Sequence, residues 1–278
     1  MSTAVINVTE LATRIANGDK IVVADCRFDP FTPGAGAAAY AQGHIAGAHH
    51  LDLGRDLAAP MGETGGRHPV PAPGAFTALM RRIGVDADSL LVACDGGGLA
   101  AASRLWWLAR YFGHARVAVL NGGMAAWQAA GQPLETEPAA TGAGDFTARV
   151  DHSLRVDFRE LCDPDNRPLL IDSRDALRYA GIEEPVESCA GHIPGAVNMP
   201  YQESFDADGL LRDAEAQRER WSWLETTEQQ PVIYCGSGIT ACVNLLSLEL
   251  AGVKGARLYP GSWSDWCQQG SEVATGNE

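Results

Sequence analysis

Val232-Ile233-Tyr234-Cys235-Gly236-Ser237-Gly238-Ile239-Thr240-Ala241 is the stretch that decides the fold of this chain. Its first three residues are apolar and rich in β-branched character, as a short buried strand requires. Two glycines follow and permit a tight loop, because glycine tolerates positive φ without a Cβ clash. From Ala241 to Ala251 apolar residues recur at helical spacing, with Leu245 and Leu248 on one face, and Gly252 stands where a helix stops. Strand, tight loop and helix in that order are the building unit of an open parallel sheet. Ligands of such sheets sit beyond the carboxyl ends of the strands, and Cys235 occupies that place.

Working outward, the chain repeats itself once. Asp25-Cys26-Arg27 after Ile21–Ala24 is answered by Asp172-Ser173-Arg174 after Leu169–Ile171, 147 residues later. Gly43-His44-Ile45-Ala46-Gly47-Ala48 is answered by Gly191-His192-Ile193-Pro194-Gly195-Ala196, 148 residues later. Leu91-Val92-Ala93-Cys94-Asp95-Gly96-Gly97-Gly98-Leu99 matches Val232–Ile239, which sets Asp95 opposite Cys235. Asn121-Gly122-Gly123-Met124-Ala125-Ala126-Trp127 matches Pro260-Gly261-Ser262-Trp263-Ser264-Asp265-Trp266. Four segments in one order at a nearly constant offset define two homologous α/β domains, 1–138 and 150–278. Between Gly131 and Val156 the Pro-, Gly- and Ala-rich stretch reads as a surface linker.

The bulk numbers fit this division. A length of 278 residues suits two domains, and 46% hydrophobic residues supply a core for each. A formal charge of −14 without any long basic run excludes a general binder of nucleic acid or anionic membrane. No apolar run approaches the roughly 18 residues of a membrane span, and no basic region precedes an apolar stretch at the N-terminus. The seven cysteines, Cys26, Cys94, Cys162, Cys189, Cys235, Cys242 and Cys267, are odd in number and form no CxxC pair. A zinc site or a disulfide framework is therefore not expected. Unpaired thiols suit a reducing compartment, so a cytoplasmic location is expected.

A glycine loop entering a helix gathers N–H groups into a nest for an anion. A thiolate there is favoured over its thiol: free cysteine titrates near pH 8.5, and such sites lower that to roughly 3.5–7.5. The same nest would hold a persulfide anion, Cys–S–S⁻. The bland alternative, a buried cysteine at a strand end, is common; the strand–loop–helix position and the glycines weigh against it for Cys235. Cys26, Cys94, Cys162, Cys189, Cys242 and Cys267 read as packing. His44 and His192 occur in both copies and read as structural, as do Asp25 and Asp172.

With these residues in view, the chain resembles the tandem-domain rhodanese and 3-mercaptopyruvate sulfurtransferase family. The resemblance spans nearly the whole chain and rests on Gly191–Ala196, on Cys235-Gly236-Ser237-Gly238-Ile239-Thr240, and on Arg178-Tyr179-Ala180-Gly181 after Asp172-Ser173-Arg174. It implies two rhodanese-like domains, each an open parallel sheet flanked by helices. The first would be inactive, because Asp95 cannot carry sulfane sulfur. The second would be catalytic through Cys235, with no metal or organic cofactor.

In this family thiosulfate enzymes place Arg and Lys after the cysteine. Gly236 and Ser237 stand there instead, and Cys-Gly-Ser-Gly-Ile-Thr resembles the 3-mercaptopyruvate pattern. The resemblance makes Arg178 the binder of the substrate carboxylate, a contact suited to a planar guanidinium. Gly236, Gly238, Ile239 and Thr240 would shape the pocket, and Ser237 would bond a donor oxygen or relay a proton. A second arginine often follows the family's Glu-Pro; here Val186-Glu187 follows Glu184-Pro185, so it is missing. Asp56 and His68 lie where the family supplies an aspartate and a histidine, so that Asp56 would orient His68 and His68 would polarise Ser237. Capping of a loop is the alternative for that pair. Arg67 is a further candidate cation.

The implied partners are a small anionic sulfur donor and a thiol, thioredoxin-like or cyanide acceptor. Thiosulfate is the alternative donor, and a non-catalytic sulfur carrier or regulatory module is the alternative function. A cysteine phosphatase needs Cys-x5-Arg, and Ala241 stands where that arginine is required.

Overall fold

The computed structural model describes residues 4–163, 167–227 and 229–277. Contacts divide the chain into two compact units, Met1–Ala59 with Pro71–Asp151, and Pro60–Val70 with His152–Glu278. The segment Pro60–Val70 is therefore part of the second unit, although it interrupts the first in sequence.

In the first unit β1 (Val5–Ile6), β2 (Ile21–Asp25), β3 (His49–His50), β4 (Leu90–Cys94) and β5 (Val117–Leu120) form a parallel sheet in the order β1-β5-β4-β2-β3. In the second, β6 (Leu170–Asp172), β7 (Val197–Asn198), β8 (Val232–Tyr234) and β9 (Arg257–Leu258) form a parallel sheet in the order β7-β6-β8-β9. A parallel bridge from Arg155 to Leu258 lies beside β9, as β1 lies beside β5. The expected α/β architecture is thus present twice, with one strand order. Among the described residues no helix is long and apolar enough to cross a membrane.

The decisive stretch folds as its residues dictate. β8 is fully buried, as a central parallel strand should be. The helix Ala241–Ala251 ends at Gly252, whose φ of +84° lets its N–H reach Glu249 and Leu248. The expected one-sided apolar face is not what holds it, because every residue from Ala241 to Leu248 is buried. A helix apolar around most of its surface belongs inside a core. Its two polar members there are satisfied: Asn244 donates to Ser173 Oγ at 2.9 Å and to Met199 O at 2.8 Å, and Ser247 Oγ accepts from Trp221 Nε1 at 2.7 Å. β6 begins one residue later than the apolar run suggests, which brings Asp172 to the strand's carboxyl end.

The Gly-His-Ile repeats are structural in both units. His44 Nδ1 bonds Tyr40 O at 2.9 Å and stacks on the Tyr40 ring at 3.8 Å. His192 Nδ1 bonds Tyr179 O at 2.8 Å and stacks on the Tyr179 ring at 3.8 Å. Each also pairs its backbone with a late segment of its own unit, Glu135 and Ala274 respectively.

The stretch read as a surface linker is a strap on the first unit. Gly142 and Gly144 donate to Arg82 O and Arg81 O, and Phe146 donates to Val85 O and is 4% exposed. A Cβ on Gly144 would lie 2.2 Å from Val85 O. Glycine serves close backbone approach here rather than flexibility.

Candidate active site

Cys235 directly follows β8 at the carboxyl edge of the second sheet and is 2% exposed. Its loop is braced from the segment Tyr259–Trp266. The Cys235 N–H donates to Ser262 Oγ at 3.1 Å, Trp263 N–H donates to Cys235 O at 2.9 Å, and Ser264 N–H donates to Gly236 O at 2.8 Å. Trp263 and Trp266 anchor that brace in the core of the second unit; removing a buried aromatic of this size costs about 3–5 kcal/mol. Sequence reasoning saw this segment only as a repeat and missed its role.

The two loop glycines do different jobs. Gly238 has φ +74°, and a Cβ on it would lie 2.3 Å from Pro260 O, so both conformation and space demand glycine. Gly236 does not have positive φ, contrary to the expectation for both glycines. Its hydrogen keeps open the space toward two guanidinium groups: a Cβ there would stand 3.5 Å from Nη1 and Nη2 of Arg178 and 3.6 Å from Nη2 of Arg67. Ile239 O and Thr240 O accept from Cys242 and Val243 N–H and start the helix.

The two halves of the repeat differ instructively at this loop. In the first unit Asp95 is buried, and its carboxylate accepts from Gly97 N–H at 2.9 Å, Leu99 N–H at 3.0 Å and Ala102 N–H at 3.3 Å. Burial pushes this carboxyl up, and the N–H groups of Gly97, Ala102 and Leu99 pull against it. In the second unit, among the described residues, the N–H groups of Gly236, Ser237, Ile239 and Thr240 have no partner within the protein. Ser237 and Ile239 are the counterparts of Gly97 and Leu99.

Ser237 Oγ is 2.8 Å from His68 Nδ1, so the structure brings together this expected pair, with His68 carried on the Pro60–Val70 segment. That segment is held by Gly65 N–H to Asp265 Oδ1 at 2.8 Å, Gly66 N–H to Gln268 Oε1 at 3.1 Å and Arg67 N–H to Ser264 Oγ at 3.2 Å. Asp56 lies in the first unit, where its carboxylate accepts from Asp52 N–H, Arg55 and Arg82.

Arg178 and Arg67 reach the loop from different segments and are each held by a carboxylate. Arg178 Nη2 pairs with Glu184 Oε1 at 2.8 Å, and Arg67 Nε pairs with Glu187 Oε1 at 2.7 Å. Glu184 also receives Arg174 Nη1 at 3.2 Å and the N–H groups of Val186 and Glu187. Arg174 in turn clasps Asp172 at 2.6 Å beneath the ring of Trp263. Burial works against the Arg174 charge, but Asp172 and Glu184 outweigh it and keep it ionised. Glu184 and Glu187 were missed as site residues. The only signal was their place after Arg178, in the loop where a second arginine was sought.

The cysteines require a correction. Cys189 and Cys267 are joined in a disulfide with a Cα–Cα distance of 6.0 Å. The odd count and the lack of a CxxC pair could not show it, because the partners are 78 residues apart and meet only in the fold. Their pairing also removes these two thiols from the case for a reducing compartment. The bond ties the loop of Glu184 and Glu187 to the last helix, Ser262–Gln268. On chain-entropy grounds, closing a loop of that length stabilises the fold by up to about 4.5 kcal/mol. Reductant should therefore lower the denaturant midpoint, and Cys189→Ser should match the reduced protein; equal midpoints with and without reductant would count against the bond. Cys26 and Cys94 are packing residues, since burial pushes both thiols up and keeps them inert.

Comparison with known proteins agrees with this geometry. The model of the rhodanese-like domain matches residues 7–130 and again 156–269. A probable 3-mercaptopyruvate sulfurtransferase of Pseudomonas aeruginosa is 40% identical over 99% of both chains. A putative thiosulfate sulfurtransferase of Mycobacterium tuberculosis is 35% identical over 94% of this chain and 93% of that one. The crystal structure of SseA from Escherichia coli, described with the 3-mercaptopyruvate sulfotransferases, matches with a TM-score of 0.80 and 31% identity, covering 94% of this chain and 99% of that one. Two copies of one parallel sheet, a cysteine at the mouth of the second and whole-length relatives of one activity class lead to a single assignment: the chain belongs to the rhodanese family and is a sulfurtransferase.

Proposed function

We propose that the chain takes sulfane sulfur from 3-mercaptopyruvate onto Cys235 and hands it to a thiol, a thioredoxin-like dithiol or cyanide. The observation that carries this reading is the contrast between Asp95 and Cys235. Beyond Cβ, an aspartate has one atom and then its charged oxygens; a cysteine persulfide has one sulfur and then a charged sulfur. Asp95 is thus a built-in likeness of the persulfide anion, and it bonds the amides of Gly97 and Leu99. The corresponding amides of Ser237 and Ile239 are unclaimed among the described residues and suit the outer sulfur of Cys235. The first unit is then a self-plugged copy and the second, which includes Pro60–Val70, a working one.

In the reaction the Cys235 sulfur attacks the donor's sulfur. An S–S bond forms, and the C–S bond breaks with its electron pair left on carbon as the enolate of pyruvate. The donor's thiol proton is lost from the new persulfide, and the carbon takes up one proton. The Ser237–His68 pair passes that proton in this reading, which their 2.8 Å contact supports. Arg178 and Arg67 hold the donor carboxylate over Gly236. Asp56, engaged within the first unit, is assigned no step.

Both donors named among the relatives should be compared directly. With cyanide as common acceptor, kcat/KM should be higher for 3-mercaptopyruvate than for thiosulfate, and treatment with the preferred donor should add about 32 Da, one sulfur, to the peptide of Cys235. A preference for thiosulfate would overturn the donor, and the absence of any adduct would overturn the carrier role of Cys235.

A further inference from the structure

We infer that Glu187 sets the charge of the donor that this site accepts. The inference rests on the donor reading above and goes beyond it by naming the residue that discriminates.

Two guanidinium groups converge on Gly236 from separate segments, Arg178 after β6 and Arg67 on Pro60–Val70. Two unneutralised cations at that point would favour a dianion such as thiosulfate. They are not unneutralised. Arg67 is paired with Glu187, whose side chain is 8% exposed, and Arg178 with Glu184, whose side chain is 3% exposed. Adding the pair of Arg174 and Asp172, which shares Glu184, three guanidinium groups face three carboxylates. The cluster has no net charge, yet it retains N–H donors. Arg178 Nη1 and both terminal nitrogens of Arg67 have no partner among the described residues. Such a site can form directional bonds to one carboxylate without a surplus of positive charge to attract a second negative charge.

Changing Glu184 would also take from the buried Arg174 one of its two carboxylates, leaving it Asp172 alone. Glu187 can be changed alone, because its only side-chain ion pair among the described residues is with Arg67, whose side chain is 34% exposed. Glu187→Gln keeps an oxygen for Arg67 Nε and removes the charge. At an effective dielectric of about 20, and allowing for the partial exposure of Arg67, one charge lost a few ångströms from the donor favours each donor charge by roughly tenfold. A dianion gains that factor twice and a monoanion once. The ratio of kcat/KM for thiosulfate to that for 3-mercaptopyruvate therefore rises about tenfold in Glu187→Gln, with cyanide as acceptor for both.

Glu187→Asp keeps the charge and should keep the wild-type ratio. An unchanged ratio in Glu187→Gln, a parallel fall of both donors, or an equal rise in Glu187→Asp would each overturn the inference. If Glu187→Gln does not fold, inhibition of the wild-type protein decides: pyruvate should bind at least as tightly as sulfate, and tighter binding of sulfate would overturn it. Failure of the donor reading is a separate outcome, visible as a wild-type preference for thiosulfate, whereas this inference concerns the change in the ratio on removing one charge.

Discussion

Cys235→Ser is expected to fold normally and to transfer no measurable sulfur from any donor, a loss on the order of 10⁴-fold or more, as when a covalent nucleophile is removed. Oxygen replaces sulfur with little change of volume in a side chain that is 2% exposed. The brace from Ser262, Trp263 and Ser264 acts on the backbone of the loop and not on the sulfur. Thermal unfolding should therefore stay close to wild type while activity disappears, and residual turnover within tenfold of wild type would remove Cys235 from the mechanism. Cys235→Asp sharpens the experiment. The first unit already shows a buried aspartate at this place, bonded to Gly97 and Leu99 N–H. If the second loop forms the same nest, Cys235→Asp should also fold and be inert. A gross loss of stability in that variant would mean that the loop amides do not converge on the side chain of residue 235.

Arg178→Gln is expected to raise KM for 3-mercaptopyruvate and to cut kcat/KM on the order of 10²-fold or more, the usual cost of truncating a hydrogen-bonded charge at a shielded contact. Glu184 keeps Arg174 and two backbone N–H groups in that variant, so it is not left as an unpaired buried charge. Arg178→Lys should recover little, because an ammonium cannot serve Glu184 and a donor carboxylate with the same planar fork. Steady-state kinetics with both donors, together with unfolding curves, separate a binding role from a structural one. Unchanged KM in Arg178→Gln would leave Arg67 as the sole carboxylate cation.

How much was legible beforehand differs residue by residue. The helix Ala241–Ala251 and its stop at Gly252 could be read directly, since spacing and a C-terminal glycine are local properties. The structural histidines were legible through repetition: a residue kept in a copy that has Asp95 in place of the cysteine serves the fold. The pairing of His68 with Ser237 was legible only through resemblance, for the two are 169 residues apart. The disulfide was read wrongly and the strap was read as a tether, because neither long-range bonding nor close backbone approach leaves a periodic trace.

By itself, therefore, the order of residues determined everything that depends on neighbours along the chain: two α/β repeats, a cysteine at one strand end and an aspartate at the other. Only the tertiary structure decided what surrounds that cysteine. It brought Arg67 from the Pro60–Val70 segment to Gly236, paired Arg67 with Glu187 and Arg178 with Glu184, and closed Cys189 onto Cys267. Charge balance and cross-links are sums over groups close in space, and that closeness comes from packing a core rather than from any local preference of the residues themselves.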